Sequence, residues 1–198
     1  MIDTKKVERP RGRPRTFDVE GALGTAQRLF HERGYDGVSL SNLTDALGIN
    51  PPSFYAAFGS KAALFDKVLE RYAGSALPLE DILRPGRNVP EALTELLTAA
   101  ASIYVANPLE AGCLVIEAAR SSPDADGAVA ARQYRAATLQ RIRDYIALER
   151  PAVADRLADF VDLTMSGMSA SAREGWSEAR MQDMAAMAST AIDAAWRS

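Results

Sequence analysis

Apolar residues recur at intervals of three and four along most of this chain, the period of helices with one buried face. From Asp18 onward, Val19, Ala22, Leu23, Ala26, Leu29 and Phe30 share one side. A helix is predicted there to about Arg33, with Thr16 or Asp18 as its cap and Gly34 as its left-handed stop. A shorter helix follows Ser39, whose hydroxyl can cap free amides; Leu40, Leu43 and Leu47 form its stripe and Gly48 ends it. A third carries Phe54 and Phe58 four apart, and a fourth, from about Lys61, turns Leu64, Phe65, Val68, Leu69 and Tyr72 inward.

Beyond these, Leu77–Val89 holds Pro78, Pro85 and Gly86 and reads as a linker. Further helices are predicted at about 90–106, 108–120, 124–148, 151–174 and 177–197. The first carries Leu93, Leu96, Leu97, Ala100, Ile103 and Tyr104 on one face, and the third Val129, Tyr134, Leu139, Ile142 and Ile146. In the last pair, Leu157, Phe160, Val161, Thr164 and Met168 mark one face, and Met181, Met184, Ala188, Ala191 and Ala195 repeat at three and four. Methionines and small residues allow such helices to pack closely. No alternating strand pattern occurs. The expected fold is all-α: a flexible basic arm at 1–15, a compact helical unit at 16–72, and a larger helical part at 73–198.

The third helix raises a question, because Pro51 and Pro52 stand at its start. Asn50 is a good N-cap, and proline suits the first turn, where its missing amide hydrogen is not needed. The prolines therefore fix where the helix begins and how the chain enters it. A Gly48-Ile49-Asn50 turn between two short helices is the helix-turn-helix layout, in which the N-terminal residues of the second helix reach base edges. An ordinary helical hairpin has the same spacing.

Charge changes the picture more than composition does. The 198 residues are 47% hydrophobic and 25% charged, the balance of a globular chain with a real core. The net charge of −3 is unevenly spread: residues 1–71 hold 11 Lys/Arg against 9 Asp/Glu, and the remainder 12 against 17. Within Lys5–Arg15 six basic residues face one acid, Glu8. A basic arm on an acidic body suits a polyanionic partner. Arg11, Arg13 and Arg15, interleaved with Gly12 and Pro14, fit a narrow A·T-rich minor groove, although a solvated basic tail has the same composition. The single cysteine, Cys113, excludes an intramolecular disulfide. No apolar run reaches membrane-spanning length and the N-terminus lacks an apolar signal region, so a cytoplasmic protein is expected.

Gly48, Ile49, Ser53, Phe54, Tyr55, Phe58 and Lys61 stand in the register G-[VI]-x-x-x-[ST]-[LF]-Y-x-x-F-x-x-K. With Gly34-Tyr35 upstream and the Ser39-capped helix between, this stretch resembles the DNA-binding region of TetR-family transcriptional repressors. The Gly-Arg-Pro-Arg arm and Gly112-Cys113-Leu114 resemble one branch of that family. The resemblance implies a ligand-responsive repressor binding a palindromic double-stranded operator as a homodimer. The DNA-binding set is then Arg11, Arg13, Arg15, Ser39, Asn50, Pro51, Pro52, Ser53, Tyr55 and Lys61, with Tyr55 and Lys61 on phosphates. It also implies a dimer interface on the last two helices at Met184, Ala188 and Ala191, and a small-molecule effector pocket among the central ones. Pro51 and Pro52 depart from the Lys and Gly common in the family, so reading there is apolar and steric.

Tyr104, Cys113, Tyr134, Met165, Met168 and Trp176 are the polarisable or aromatic groups at helical spacing that could line such a pocket, and all also suit plain core. Cys113, near a helix start, has the setting of a reactive thiolate, yet beside Leu114 and Val115 it equally suits a small buried hydrophobe. The only histidine, His31, reads as structural. With one His and one Cys far apart, no metal-ligand spacing and no phosphate loop, the chain is not expected to be an enzyme or to hold a cofactor. The alternative is a helical ligand-binding or cysteine-based redox or electrophile sensor with little sequence-specific DNA binding.

Overall fold

The structure, a computed structural model, describes residues 18–121 and 126–198, and among these it contains helices and turns but no strand. Ten α-helices follow in order: α1 (Val19–Arg33), α2 (Leu40–Leu47), α3 (Pro51–Phe58), α4 (Lys61–Ser75), α5 (Leu79–Ile82), α6 (Val89–Ile103), α7 (Leu114–Ala119), α8 (Asp126–Ala147), α9 (Pro151–Arg173) and α10 (Glu178–Arg197). A 3-10 turn at Pro108–Glu110 lies between α6 and α7.

Caps start the first four helices where the pattern places them. Asp18 accepts from the Gly21 amide, Ser39 from Asn42, Asn50 from Ser53 and Ser60 from Ala63. Each satisfies one amide that the first turn leaves without a helical partner. Phe30, Leu43, Phe54, Leu64 and Phe65 meet beneath these helices with at most 1% exposure. Val19, assigned to the buried face, is exposed, as is Val129 at the start of α8.

Two expectations fail in the middle of the chain. The expected linker contains α5, which buries Leu79 and Ile82. The helix expected at 108–120 is broken into the 3-10 turn and α7. Its break is Gly112, at φ 83°, where an added Cβ would stand 2.9 Å from both the carbonyl oxygen and Oγ of Ser169. Only a glycine lets the backbone rest that closely on α9.

α4 runs unbroken past residue 72 to Ser75, packing on α1 at one side and on α8 at the other. The rest is a bundle in which α8 lies along α9 and α7, and α6 lies along α10.

Candidate functional site

At the α2–α3 turn, Gly48 adopts the left-handed conformation (φ 63°, ψ 33°) that reverses the chain after α2. Ile49 donates back to the Thr44 carbonyl at 3.1 Å. Asn50 Oδ1 then accepts from Ser53 N at 2.9 Å, and Pro51 and Pro52 occupy the first two helical positions. Phe54 and Phe58, with ring centroids 5.4 Å apart, anchor α3 in the core. The opposite side of α3 is bare: Pro51, Pro52, Ser53 and Tyr55 are exposed, Tyr55 at 53%. A short rigid helix thus presents its positive end and a phenol to solvent.

Ser39 is committed elsewhere. Its Oγ accepts from Asn42 N at 3.1 Å while its backbone amide donates to Asn42 Oδ1 at 2.9 Å, closing a capping box that starts α2. Lys61 is half-buried with its Nζ 4.1 Å from the centre of the Tyr35 ring. Burial lowers its pKa, and Asp36 opposes the shift. Arg11, Arg13 and Arg15 lie outside the described residues. Without the arm, residues 18–71 hold 5 Lys/Arg against 7 Asp/Glu.

A cavity of about 70 Å³ lies among α4, α6, α7, α8 and α9. Tyr104, Cys113, Tyr134 and Met165 line it, as the sequence suggests, whereas Met168 is buried in core beside it and Trp176 stacks under Arg180 instead. Sequence reasoning missed Tyr72, Arg135 and Asp162 in the wall. Arg135 shares the spacing of Tyr134, Leu139 and Ile142 on α8, a signal that its charge concealed.

The wall is chemically quiet. Arg135 is held by Asp162 and Ser166, so its charge is neutralised in place. Burial pushes the Cys113 thiol up, against the opposing pull of the Ile116 and Val115 amides at the start of α7. Burial therefore outweighs the helix start. The Tyr104 hydroxyl is buried, with the Cys113 thiol and Tyr72 as its polar neighbours.

Outside the bundle, α9 and α10 form an apolar groove lined by Leu157, Phe160, Ala191, Ala194 and Ala195. Leu163 and Met187 stand 71% and 67% exposed on these same helices. Of the interface residues read from the sequence, Ala191 is exposed and Met184 half-buried. Ala188 is already buried within the protomer at 7% exposure, next in sequence to Ser189, whose hydroxyl pairs with that of Thr94 on α6 at 2.8 Å.

His31 is buried and packs edge-on against Tyr72, with Glu110 4.0 Å from Nδ1 and the Gly112 backbone beside the ring. Among the described residues no group of three or more His, Cys, Asp or Glu could hold a metal ion, and no single helix is long and apolar enough to cross a membrane.

Residues 22–68 match the family described as bacterial regulatory proteins, tetR family. Over 190 residues the chain is 50% identical to the HTH-type transcriptional repressor BdcR of Escherichia coli (strain K12), covering 96% of each. It is 32% identical to the HTH-type transcriptional repressor ComR of the same organism over 193 residues, covering 92% of each. Among solved structures, a cysteine-substituted form of the TetR family transcriptional regulator CifR, complexed with 26-base-pair double-strand operator DNA, superposes with a TM-score of 0.81. It is 33% identical, over 90% of this chain and 99% of that one.

Proposed function

The chain belongs to the tetR family of bacterial regulatory proteins, and from that premise we propose that it is a DNA-binding transcriptional repressor acting as an effector-responsive homodimer. The observation that carries this reading is α3. Its buried side is two phenylalanines, and its other side offers Pro51, Pro52, Ser53 and Tyr55 from a capped, rigid start. Inserted into a major groove, that end places Ser53 and the prolines at base edges, while Tyr55 and Lys61 take phosphates. Pro51 and Pro52 have no amide hydrogen to donate, so they read by shape and by apolar contact with thymine methyls. The described part of the DNA-binding unit is not basic, so the arginines of the arm supply much of the phosphate attraction.

One such helix reads too few base pairs to be selective, and two need a fixed separation of about one helical turn of DNA or a multiple. The exposed stripe of Leu163, Met187 and Ala191 on α9 and α10 supports a pairing surface there. The cavity supports an effector that is small, uncharged and largely apolar. Its volume is under half of an engineered cavity of about 150 Å³ that takes benzene, and its one ion pair is internally satisfied. The burial of Cys113, which pushes its thiol pKa up, favours this reading over a thiolate sensor without DNA binding.

Selection of bound duplexes from a random pool tests the proposal. Recovery of a two-half-site palindrome is the expected result. Equal binding to every duplex, vanishing at moderate salt, would refute it.

A further inference from the structure

The start of α8 touches the DNA-binding unit at a point with no spare room. Gly127 is buried, and a Cβ built on it would stand 2.4, 2.6 and 2.8 Å from Cγ, Cδ2 and Cδ1 of Tyr35. The helix backbone rests directly on the aromatic ring, at a separation that no other residue type permits. Tyr35 lies just past the end of α1, packed between Phe30 and Phe65 at centroid distances of 5.9 and 4.9 Å. Over its face sits the ammonium of Lys61, the first residue of α4.

We propose that Tyr35 is a positioning residue for DNA binding, held in place by α8 at Gly127 and in turn orienting Lys61 toward a backbone phosphate. The inference rests on the DNA-binding reading above. An ammonium over an aromatic face is drawn to the ring's negative quadrupole. One side of it is then covered, and its remaining N–H donors point away from the ring, free for a phosphate oxygen. Holding a four-carbon side chain in advance removes rotamer freedom that binding would otherwise have to freeze.

The same two helices reach the cavity. Seven residues beyond Gly127, roughly 10 Å along the axis, α8 places Tyr134 in the cavity wall. α4 begins at Lys61 and places Tyr72 in that wall near its other end. A tilt of α8 that lifts Gly127 releases the ring, and Lys61 loses its seat. An effector drives this only by binding the tilted and untilted arrangements with different affinity.

The test is binding of the full-length protein to a pool-selected duplex over a range of salt concentrations. The variants are Lys61→Ala, Tyr35→Phe, Tyr35→Leu and Gly127→Ala, with the last two also combined with Lys61→Ala. Lys61→Ala is expected to lower the salt slope by about 0.9, one phosphate. Tyr35→Phe keeps the ring and should bind as wild type. Tyr35→Leu and Gly127→Ala should each weaken binding roughly two- to fivefold, with helix content unchanged and no further loss in the Lys61→Ala background. Wild-type affinity in Gly127→Ala, a Tyr35→Phe loss equal to that of Tyr35→Leu, or losses that add in full to Lys61→Ala each overturn the relay. Should Tyr35→Leu fail to fold, Gly127→Ala and its double variant decide the matter alone. A wild type that binds no duplex overturns the DNA-binding reading, whereas wild-type binding with additive losses overturns this inference only.

Discussion

Asp162 grips Arg135 from the neighbouring helix at two points, Nε to Oδ1 at 3.0 Å and Nη2 to Oδ2 at 2.6 Å, while Nη2 also donates to Ser166 Oγ at 2.9 Å. This fork-to-carboxylate geometry is the strong form of an ion pair. It joins α8 to α9 and also lines the cavity. Asp162→Asn leaves a half-buried guanidinium without its countercharge. The expected cost is about 1–2 kcal/mol in urea denaturation, moderated by solvent at the pair's edge. The variant should also bind small carboxylates such as propionate more tightly than the wild type does. A variant as indifferent to propionate as the wild type would remove Arg135 from the effector site.

The arm carries a second expectation. Residues 18–71 have two more acids than bases, so attraction to DNA has to come largely from elsewhere. Deleting residues 1–15 should leave the protein folded and the central half-sites unchanged. Affinity and salt slope should both fall, with less preference for flanking A·T pairs. Affinity unaltered by the deletion would return Arg11, Arg13 and Arg15 to the status of a solvated tail.

Opposite outcomes are expected on the two sides of α10. Met187 is exposed, so Met187→Glu should change protomer stability by no more than about 0.5 kcal/mol while yielding monomers in sedimentation and losing operator binding. Ala188 is in the protomer core, so Ala188→Glu should cost about 3–5 kcal/mol as an uncompensated buried charge and lower helix content. Dimeric Met187→Glu at micromolar concentration would place the pairing surface elsewhere.

His31 sets the pH response. Burial lowers its pKa below the ordinary 6.5, with Glu110 and the Gly112 backbone opposing, Arg173 adding to the lowering, and Glu117 opposing. The unfolded chain therefore takes up the proton first as pH falls. Stability is full above about pH 6.5 and declines below it, toward the lowered folded value, by at most about 1.4 kcal/mol per pH unit. As the chain has one histidine, His31→Leu should flatten the urea midpoint between pH 7.5 and 5.5. A wild-type slope retained in His31→Leu would assign the effect to other groups.

Helix starts were the most legible feature of this chain. Asp18, Ser39, Asn50 with its two prolines, and Gly34 and Gly48 at the stops act within one turn of where they sit, through backbone geometry and amides three residues away. The period of three and four then assigned most buried faces, and the spacing from Gly48 to Lys61 carried the family resemblance. These are short-range properties, and a linear string contains them in full.

What the string could not contain is which remote surface each face meets. Ala188 and Ala191 share the same repeat, yet the folded protomer buries the first and leaves the second bare. Arg135 and Asp162 lie 27 positions apart and meet only when α8 and α9 are set side by side. Gly112 reads as one more helical residue until α9 presses on it, and Gly127 carries no signal at all until Tyr35, more than ninety positions earlier, comes to lie beneath it. Each of these depends on the crossing angle and separation of helices far apart in sequence. Side-chain packing over the whole bundle sets those, and only the tertiary structure decides them.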